Sequence, residues 1–187
     1  AELAAGEGVR RGDLDLFEAA GHLYAAEDLS SDAGRELQRP NLFENVEGHL
    51  ALRAAAPGDG LDVPGTMRGL SLVDLDDDGR LDVVMAPARG EPRLLRNVRE
   101  PSGHWLRVVL DGQAAGARVE VTHDGGRIVR AHPIGEGFLG NFDPRVHVGL
   151  PATATRATVR VEWPSGAASS VSDVSLDREL TLVESDP

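Results

Sequence analysis

Carboxylates are concentrated in one short stretch, residues 74–82, which we call the acidic loop. It reads D-x-D-x-D-G-x-x-D, with side-chain oxygens at positions one, three, five and nine and a carbonyl at position seven: Asp74, Asp76, Asp78, Asp82 and Arg80. Oxygen ligands suit Ca²⁺, which takes about six to eight of them in a flexible geometry. The stretch therefore predicts a calcium loop formed by these five residues.

The flanks of the acidic loop predict strands rather than the helices of an EF-hand. Leu70 and Leu72 alternate with polar residues before the loop, and Leu81 and Val83 begin an apolar run after it. Met85 stands at the twelfth position, where an EF-hand has a bidentate glutamate. The alternatives are Mg²⁺, which prefers to keep its waters, and an acidic turn that binds no ion. The mutual repulsion of four carboxylates favours a bound cation.

Composition favours an all-β chain and excludes several classes of function. Of the 187 residues, 41% are hydrophobic, and 22 Gly and 11 Pro supply many turns. The net charge of −12 disfavours nucleic acid and anionic membrane surfaces as partners. The chain has no cysteine for disulfide or thiolate chemistry. No apolar run has the length of a membrane-spanning helix.

Residue usage also bears on source and location. All 19 basic residues are arginine, a bias typical of the high-GC codon usage of actinobacteria. The chain starts without methionine, so either a leader has been removed or it is a piece of a longer protein. A calcium loop favours an extracytoplasmic or secreted location, where free Ca²⁺ is abundant.

An internal repeat is visible in the first half. Gly12 and Asp15 precede Gly79 and Asp82 by 67 positions, and Leu-Phe-Glu-Asn ending at Asn45 matches Leu-Leu-Arg-Asn ending at Asn97. The first copy has lost most of the ligand positions, and Glu7, Val9 and Arg11 stand there instead. We expect no strong calcium site in it. We interpret residues 2–5, at the amino end, as a frayed turn of helix.

These repeats resemble the FG-GAP/VCBS blades of β-propellers, with a D-x-D-x-D-G-x-x-D loop, a strand and an L-[FL]-x-N turn. The resemblance implies that residues 1–100 form blade elements with one calcium loop. A propeller needs several blades, so the rest of a longer chain or a second copy would have to complete it.

The second half, residues 101–187, shows the strand alternation of a β-sandwich with about seven strands. Asp124-Gly125 predicts a hairpin, and Ala157 to Trp163 alternate between apolar and polar. Trp163 is expected to be buried. The fold class is therefore all-β, with partial β-propeller-like blade elements followed by a β-sandwich.

The second half also resembles the ASPIC/UnbV domain. The matching motifs are G-H-W-L-R-V from Gly103, G-A-R-V from Gly116, G-E-G-F-L from Gly135, D-P-R-V-H-V-G-L from Asp143 and V-E-W-P-S-G from Val161. FG-GAP blades followed by this domain are typical of the cartilage acidic protein family and of bacterial relatives encoded in enediyne gene clusters. The resemblance implies calcium binding by a largely non-catalytic β scaffold, linked to natural-product biosynthesis.

One further cluster in the second half is a candidate ligand site. It comprises Gly137, Asn141, Asp143, Arg145 and His147. The alternative is structural: Asp143 and Arg145 would pair with each other, and His147 would be bonded to a loop backbone. The six histidines form no zinc-binding pattern, and no G-x-S-x-G elbow is present.

Two functions from different classes remain open. The favoured one is a calcium-stabilised binding or scaffold protein without catalytic residues. Its rival is an enzyme or accessory factor that acts on an enediyne-type polyene or another small molecule, in an apolar pocket near Phe138, Phe142 and His147. Glycan binding is a third possibility, but it lacks an exposed aromatic platform. The sequence names no protein or small-molecule partner.

Overall fold

The structure is a computed structural model that describes residues 2–3, 14–21, 37–132, 141 and 143–184. Strands are the only regular secondary structure in these residues, which contain no helix that could cross a membrane. The first half has β1 (Glu2–Leu3), β2 (Leu16–Glu18), β3 (Asn41–Val46), β4 (His49–Arg53), β5 (Met67–Val73), β6 (Asp82–Pro87) and β7 (Arg93–Asn97). The second half has β8 (Gly103–Asp111), β9 (Arg118–His123), β10 (Gly126–Ala131), β11 (Val146–Pro151), β12 (Ala157–Glu162), β13 (Ala168–Val174) and β14 (Arg178–Val183).

Two small sheets make up the first half. One has the strand order β1-β7-β6-β5 and the other β2-β3-β4. Both contribute to one apolar core, because Leu42 of β3 is buried together with Met67 of β5 and Met85 of β6. The expected helical turn at the amino end is wrong at Glu2–Leu3, which pair with β7 as a parallel strand. Hydrogen bonds to a neighbouring strand decide the conformation there.

The seven expected strands of the second half are present as a β-sandwich. Its sheets have the orders β10-β9-β12-β13 and β11-β8-β14. Their inner faces share one core, in which Leu106, Val148 and Val161 are fully buried. The expected hairpin joins β9 and β10, and Trp163 is buried as predicted.

Strand β8 is buried on both of its faces. Leu106 and Val108 point into the core of the sandwich, and Arg107 between them is only 5% exposed. Side chains alternate along a strand, so Arg107 lies on the outer face of the sheet β11-β8-β14. The acidic loop of the first half covers this outer face and positions the candidate site.

Candidate metal centre

The acidic loop connects β5 to β6 and brings three carboxylates together. Asp74, Asp76 and Asp78 each offer an oxygen, and these oxygens lie within 4.8 Å of one another. Asp74 is buried and Asp76 is exposed, so the cluster runs from the protein interior to its surface. A set of carboxylate oxygens at this spacing can hold a hard cation.

Hydrogen bonds within the loop set its shape. Asp74 accepts the amides of Asp78 and Gly79 at 3.1 and 2.9 Å, which folds the chain back over the first aspartate. Asp77 and Gly79 have left-handed backbones, with φ of 59° and 86°. The Asp77 side chain does not join the cluster and pairs with Arg107 instead.

Two arginines already balance part of the negative charge. Arg80 pairs with Asp78 and Arg96 pairs with Asp76. Burial raises the pKa of the Asp78 carboxyl, and although Arg80 opposes this, the neighbouring charge of Asp76 adds to the rise. Repulsion that remains among the carboxylates would be relieved by a bound cation.

Asp82, the fourth predicted ligand, does not join the cluster of three. Its carboxylate accepts the amide of Asn97 at 2.8 Å and, more weakly, that of Leu75 at 3.4 Å. The Asn97 side chain donates in turn to the Leu81 carbonyl at 3.3 Å. We call the two contacts that involve Asn97 the Asp–Asn latch. The latch fastens the end of β7 to the start of β6.

The first sheet contains a second Asp–Asn latch. Asp15 accepts the amide of Asn45 at 2.8 Å, and the Asn45 side chain donates to the Leu14 carbonyl at 3.3 Å. Both distances equal those at Asp82 and Asn97. The internal repeat in the sequence therefore corresponds to one structural motif that occurs twice. Residues 7, 9 and 11 of the first loop lie outside the described residues.

The outer face of the sheet β11-β8-β14 receives the acidic loop. Arg107 stands directly opposite His147 on one neighbouring strand and Glu179 on the other. Trp105 lies two positions earlier on the same face of β8. We call these four residues, with Arg145 just before β11, the docking face.

Arg107 is the centre of the docking face. Its guanidinium donates to Asp74 at 2.9 Å, to Asp77 at 2.7 Å and to Glu179 at 2.9 Å. The side chains of Arg107 and Asp74 are only 6% and 0% exposed. Breaking a buried pair by removing one partner typically costs about 3–5 kcal/mol. This contact links the two halves and should be sensitive to truncation of either partner.

Trp105 and His147 complete the seat of the loop. The His147 Nε2 donates to the Gly79 carbonyl at 2.8 Å. The indole of Trp105 lies so close to Gly79 that an added Cβ would fall 2.0 Å from its Nε1. Burial lowers the pKa of His147, despite the opposing effects of the Gly79 carbonyl and Asp74. Neutral His147 thus has a structural role, because it is bonded to a loop backbone, as the structural alternative from the sequence predicted.

The other members of the predicted ligand cluster also have internal partners. Arg145 is bound to Asp143 at 2.9 Å, and the backbone carbonyl of Asn141 accepts the hydroxyl of Ser71 at 2.7 Å. Burial raises the pKa of Asp143, but hydrogen bonds and charge from Arg145 outweigh it and bring the pKa below 3.8. Gly137 lies outside the described residues. The described members thus fasten the sandwich to the first half.

A cleft of about 300 Å³ opens beside the acidic loop, between the two halves. Its walls are mainly apolar and include Phe17, Leu42, Val83, Trp105, His147 and Leu150. An apolar cleft is therefore present beside His147, where the sequence predicted a pocket. Phe138 and Phe142 lie outside the described residues.

Sequence reasoning missed Arg107 and Trp105 as partners of the loop. Alternation placed both on the outer face of a strand, where water is the default neighbour. Neither residue carries a local signal that a loop more than twenty positions earlier would cover it.

Comparison with known proteins agrees with the architecture of the second half. Residues 111–187 match the family model described as ASPIC and UnbV. Cartilage acidic protein 1 of Mus musculus is 33% identical over 161 residues, which are 82% of this chain and 24% of that protein. The Homo sapiens protein is 33% identical over 145 residues, or 73% of this chain and 21% of that protein. The aligned part thus spans about a quarter of these relatives or less. Residues 111–187 therefore form an ASPIC and UnbV domain, in a chain that is homologous to cartilage acidic protein 1.

Proposed function

We propose that this chain is a calcium-binding, non-catalytic β scaffold or binding module. The observation that carries the proposal is the convergence of three carboxylate oxygens from Asp74, Asp76 and Asp78 within 4.8 Å. An all-oxygen donor set selects hard cations, and an irregular loop suits Ca²⁺ better than Mg²⁺, which demands near-ideal octahedral geometry. The bound ion would offset the repulsion among the carboxylates and so stabilise the connection between β5 and β6.

The donors retain capacity for an ion despite their internal hydrogen bonds. Each carboxylate has about four lone-pair positions. Among the described residues, Oδ1 of Asp74 accepts a hydrogen bond from the Asp78 amide alone. Arg96 pairs with Oδ2 of Asp76 rather than with its Oδ1. The Arg80 carbonyl and water would complete the coordination. Asp82 would support the site from behind, through the Asp–Asn latch.

The duplicated latch supports an interpretation of the first half as FG-GAP/VCBS-type blade elements. On this interpretation the chain belongs to a larger assembly, completed by further sequence or by a second copy. An extracytoplasmic setting would keep the calcium loop loaded. A link to enediyne biosynthesis is part of the same proposal, and it rests on the resemblance of the second half alone.

Calorimetric titration of Ca²⁺ into chelator-stripped protein, with melting followed in parallel, tests the calcium site. Wild type should bind one ion and melt at a higher temperature in calcium, because the ion binds the folded state. Asp76→Ala should lose most of this rise and melt almost normally in chelator, since its pair with Arg96 is exposed. Asp111→Ala, which alters an exposed aspartate of β8, is the matched control. Equal shifts of Asp76→Ala in calcium and in chelator would contradict the proposal.

The cleft favours a second candidate, an accessory factor or enzyme for an apolar small molecule such as a polyene. A volume of about 300 Å³ with mostly apolar walls lies at the small end of ligand pockets. Absorption spectroscopy and mass spectrometry of a denatured extract should then detect a co-purifying chromophore. Leu14→Trp, which enlarges a side chain that is 62% exposed at the cleft wall, should abolish its retention. Retention unchanged by this variant would contradict a site in the cleft.

A further inference from the structure

We propose that the acidic loop and the docking face form one two-part metal site, in which cation binding and docking of the sandwich strengthen each other and Arg107 is the positioning residue. This inference rests on the proposed binding of a divalent cation. It adds a regulatory partner for that site, namely the ASPIC and UnbV domain of the same chain.

The first step of the argument is the sorting of the aspartates by Arg107. Its Nη1 holds Oδ2 of Asp74, and its Nη2 holds Oδ1 of Asp77. Asp74 belongs to the cluster of three, whereas Asp77 does not. One planar guanidinium thus fixes the orientation of the buried aspartate and draws the surplus one away.

The second step is that the docking face fixes the backbone of the loop. His147 holds the Gly79 carbonyl at 2.8 Å, and Arg145 reaches the Asp74 carbonyl at 3.4 Å. Trp105 covers Gly79. The Arg107 guanidinium carbon lies over the Trp105 ring, 5.5 Å from the ring centroid. The loop conformation that brings the carboxylates together therefore depends on residues of the second half.

The third step concerns charge, because an arginine beside a cation site would by itself weaken binding. Arg107 is shared by three carboxylates, and two of them, Asp77 and Glu179, lie outside the cluster. Arg145 also approaches these two carboxylates, at 3.7 and 3.6 Å, so both arginines share one network of charges. We expect the geometric effect of Arg107 on Asp74 to outweigh its repulsion of the ion. By linkage, a cation that favours the docked loop must stabilise docking by the same factor.

Calcium titration of wild type, Arg107→Met and Arg107→Lys tests this coupling. Both variants should bind calcium roughly ten- to a hundredfold more weakly, the size expected of a coupling between sites. Lysine retains the charge but lacks the fork of parallel donors, so its failure to rescue separates positioning from simple charge. Arg127→Met removes an exposed ion pair with Glu120 on the far sheet, and it should bind like wild type.

Acrylamide quenching of tryptophan fluorescence gives a readout independent of affinity. Trp163 is 3% exposed, so quenching reports chiefly on Trp105. Calcium should protect Trp105 in wild type, and at saturation it should protect it less in Arg107→Lys.

The outcomes separate the two proposals. Absence of calcium binding by wild type overturns both the proposed function and the coupling. Wild-type binding with equal or higher affinity in Arg107→Lys overturns the coupling alone. If Arg107→Met does not fold, Arg107→Lys alone decides the result.

Discussion

The two Asp–Asn latches have the same hydrogen bonds but very different surroundings. The latch of Asp15 and Asn45 lies at an exposed edge of the sheet β2-β3-β4. The latch of Asp82 and Asn97 stands beside three further aspartates, and the docking face of the sandwich covers the loop before it. The latch is thus a general way to fasten one strand end to another. Within the described residues, a carboxylate cluster and a neighbouring domain accompany the second copy.

The acidic loop differs from the described part of the first copy in having contacts with the second half. Five aspartates in nine positions repel one another, and an isolated turn would spread them apart. Here Arg107, His147 and Trp105 hold the loop from the opposite domain. The conformation of the acidic loop therefore depends on the junction between the two halves as well as on the loop itself.

The largest effect is expected from Gly79→Ala, compared with Gly58→Ala. Both glycines have φ of 86°, but a Cβ at Gly58 meets nothing within 4 Å, whereas one at Gly79 collides with Trp105. A left-handed alanine costs about 1–2 kcal/mol, and overpacking adds about 1–3 kcal/mol. Urea unfolding should show a loss about 2 kcal/mol greater for Gly79→Ala. Equal losses of stability in the two variants would mean that Trp105 does not pack against Gly79.

A smaller effect is expected when each latch is removed in turn. Asp82→Ala should lower the free energy of unfolding by about 2–3 kcal/mol, because it leaves two partly buried amides without their acceptor. Asp15→Ala should cost less than about 1 kcal/mol, since water replaces its carboxylate at the exposed latch. Both are measured by urea unfolding in chelator, which separates the latch from metal binding. The comparison would fail if the two variants lost the same stability.

The smallest effect concerns pH and His147. The pKa of folded His147 lies below 6.5 because of burial, and the charges near it are Asp74, Arg107 and Arg130. A depressed folded pKa means that the unfolded chain binds the proton more readily, so this stabilisation is complete above pH 6.5 and decreases as the pH falls. Urea unfolding of wild type in chelator, from pH about 7 to about 5, should show this decrease. His147→Gln should decline less steeply, and a parallel decline would contradict a buried neutral imidazole.

Much of the fold followed from local patterns in the sequence. Alternation predicted the seven strands of the sandwich, and Asp124-Gly125 marked its hairpin. The spacing of Asp74, Asp76 and Asp78 predicted their convergence. These features depend on neighbours within a few residues, and that is the range over which sequence periodicity carries information.

Features that depend on distant contacts could not be predicted in the same way. Asp82 stays a predicted ion ligand, but its contact with the Asn97 amide, fifteen positions away, had no local signal in the sequence. Arg107 looked like an outward residue of an ordinary strand, because nothing near it in sequence indicates that both faces of β8 are covered. The pairing of Glu2–Leu3 with β7 likewise depends on a partner more than ninety positions away.

The parallel pairing of β14 with β8 has a consequence for how the protein is made. Glu179 follows its partner Arg107 by 72 residues, so a ribosome releases the acidic loop first, its buried counter-charge next and the flanking carboxylate last. Contacts of such long range are slow to form. The full set of contacts around Arg107 can therefore form only after nearly the whole sandwich has been made. Refolding followed by Trp105 fluorescence should show its final change with the docking of β14, and an early burst that completes the signal would contradict this order.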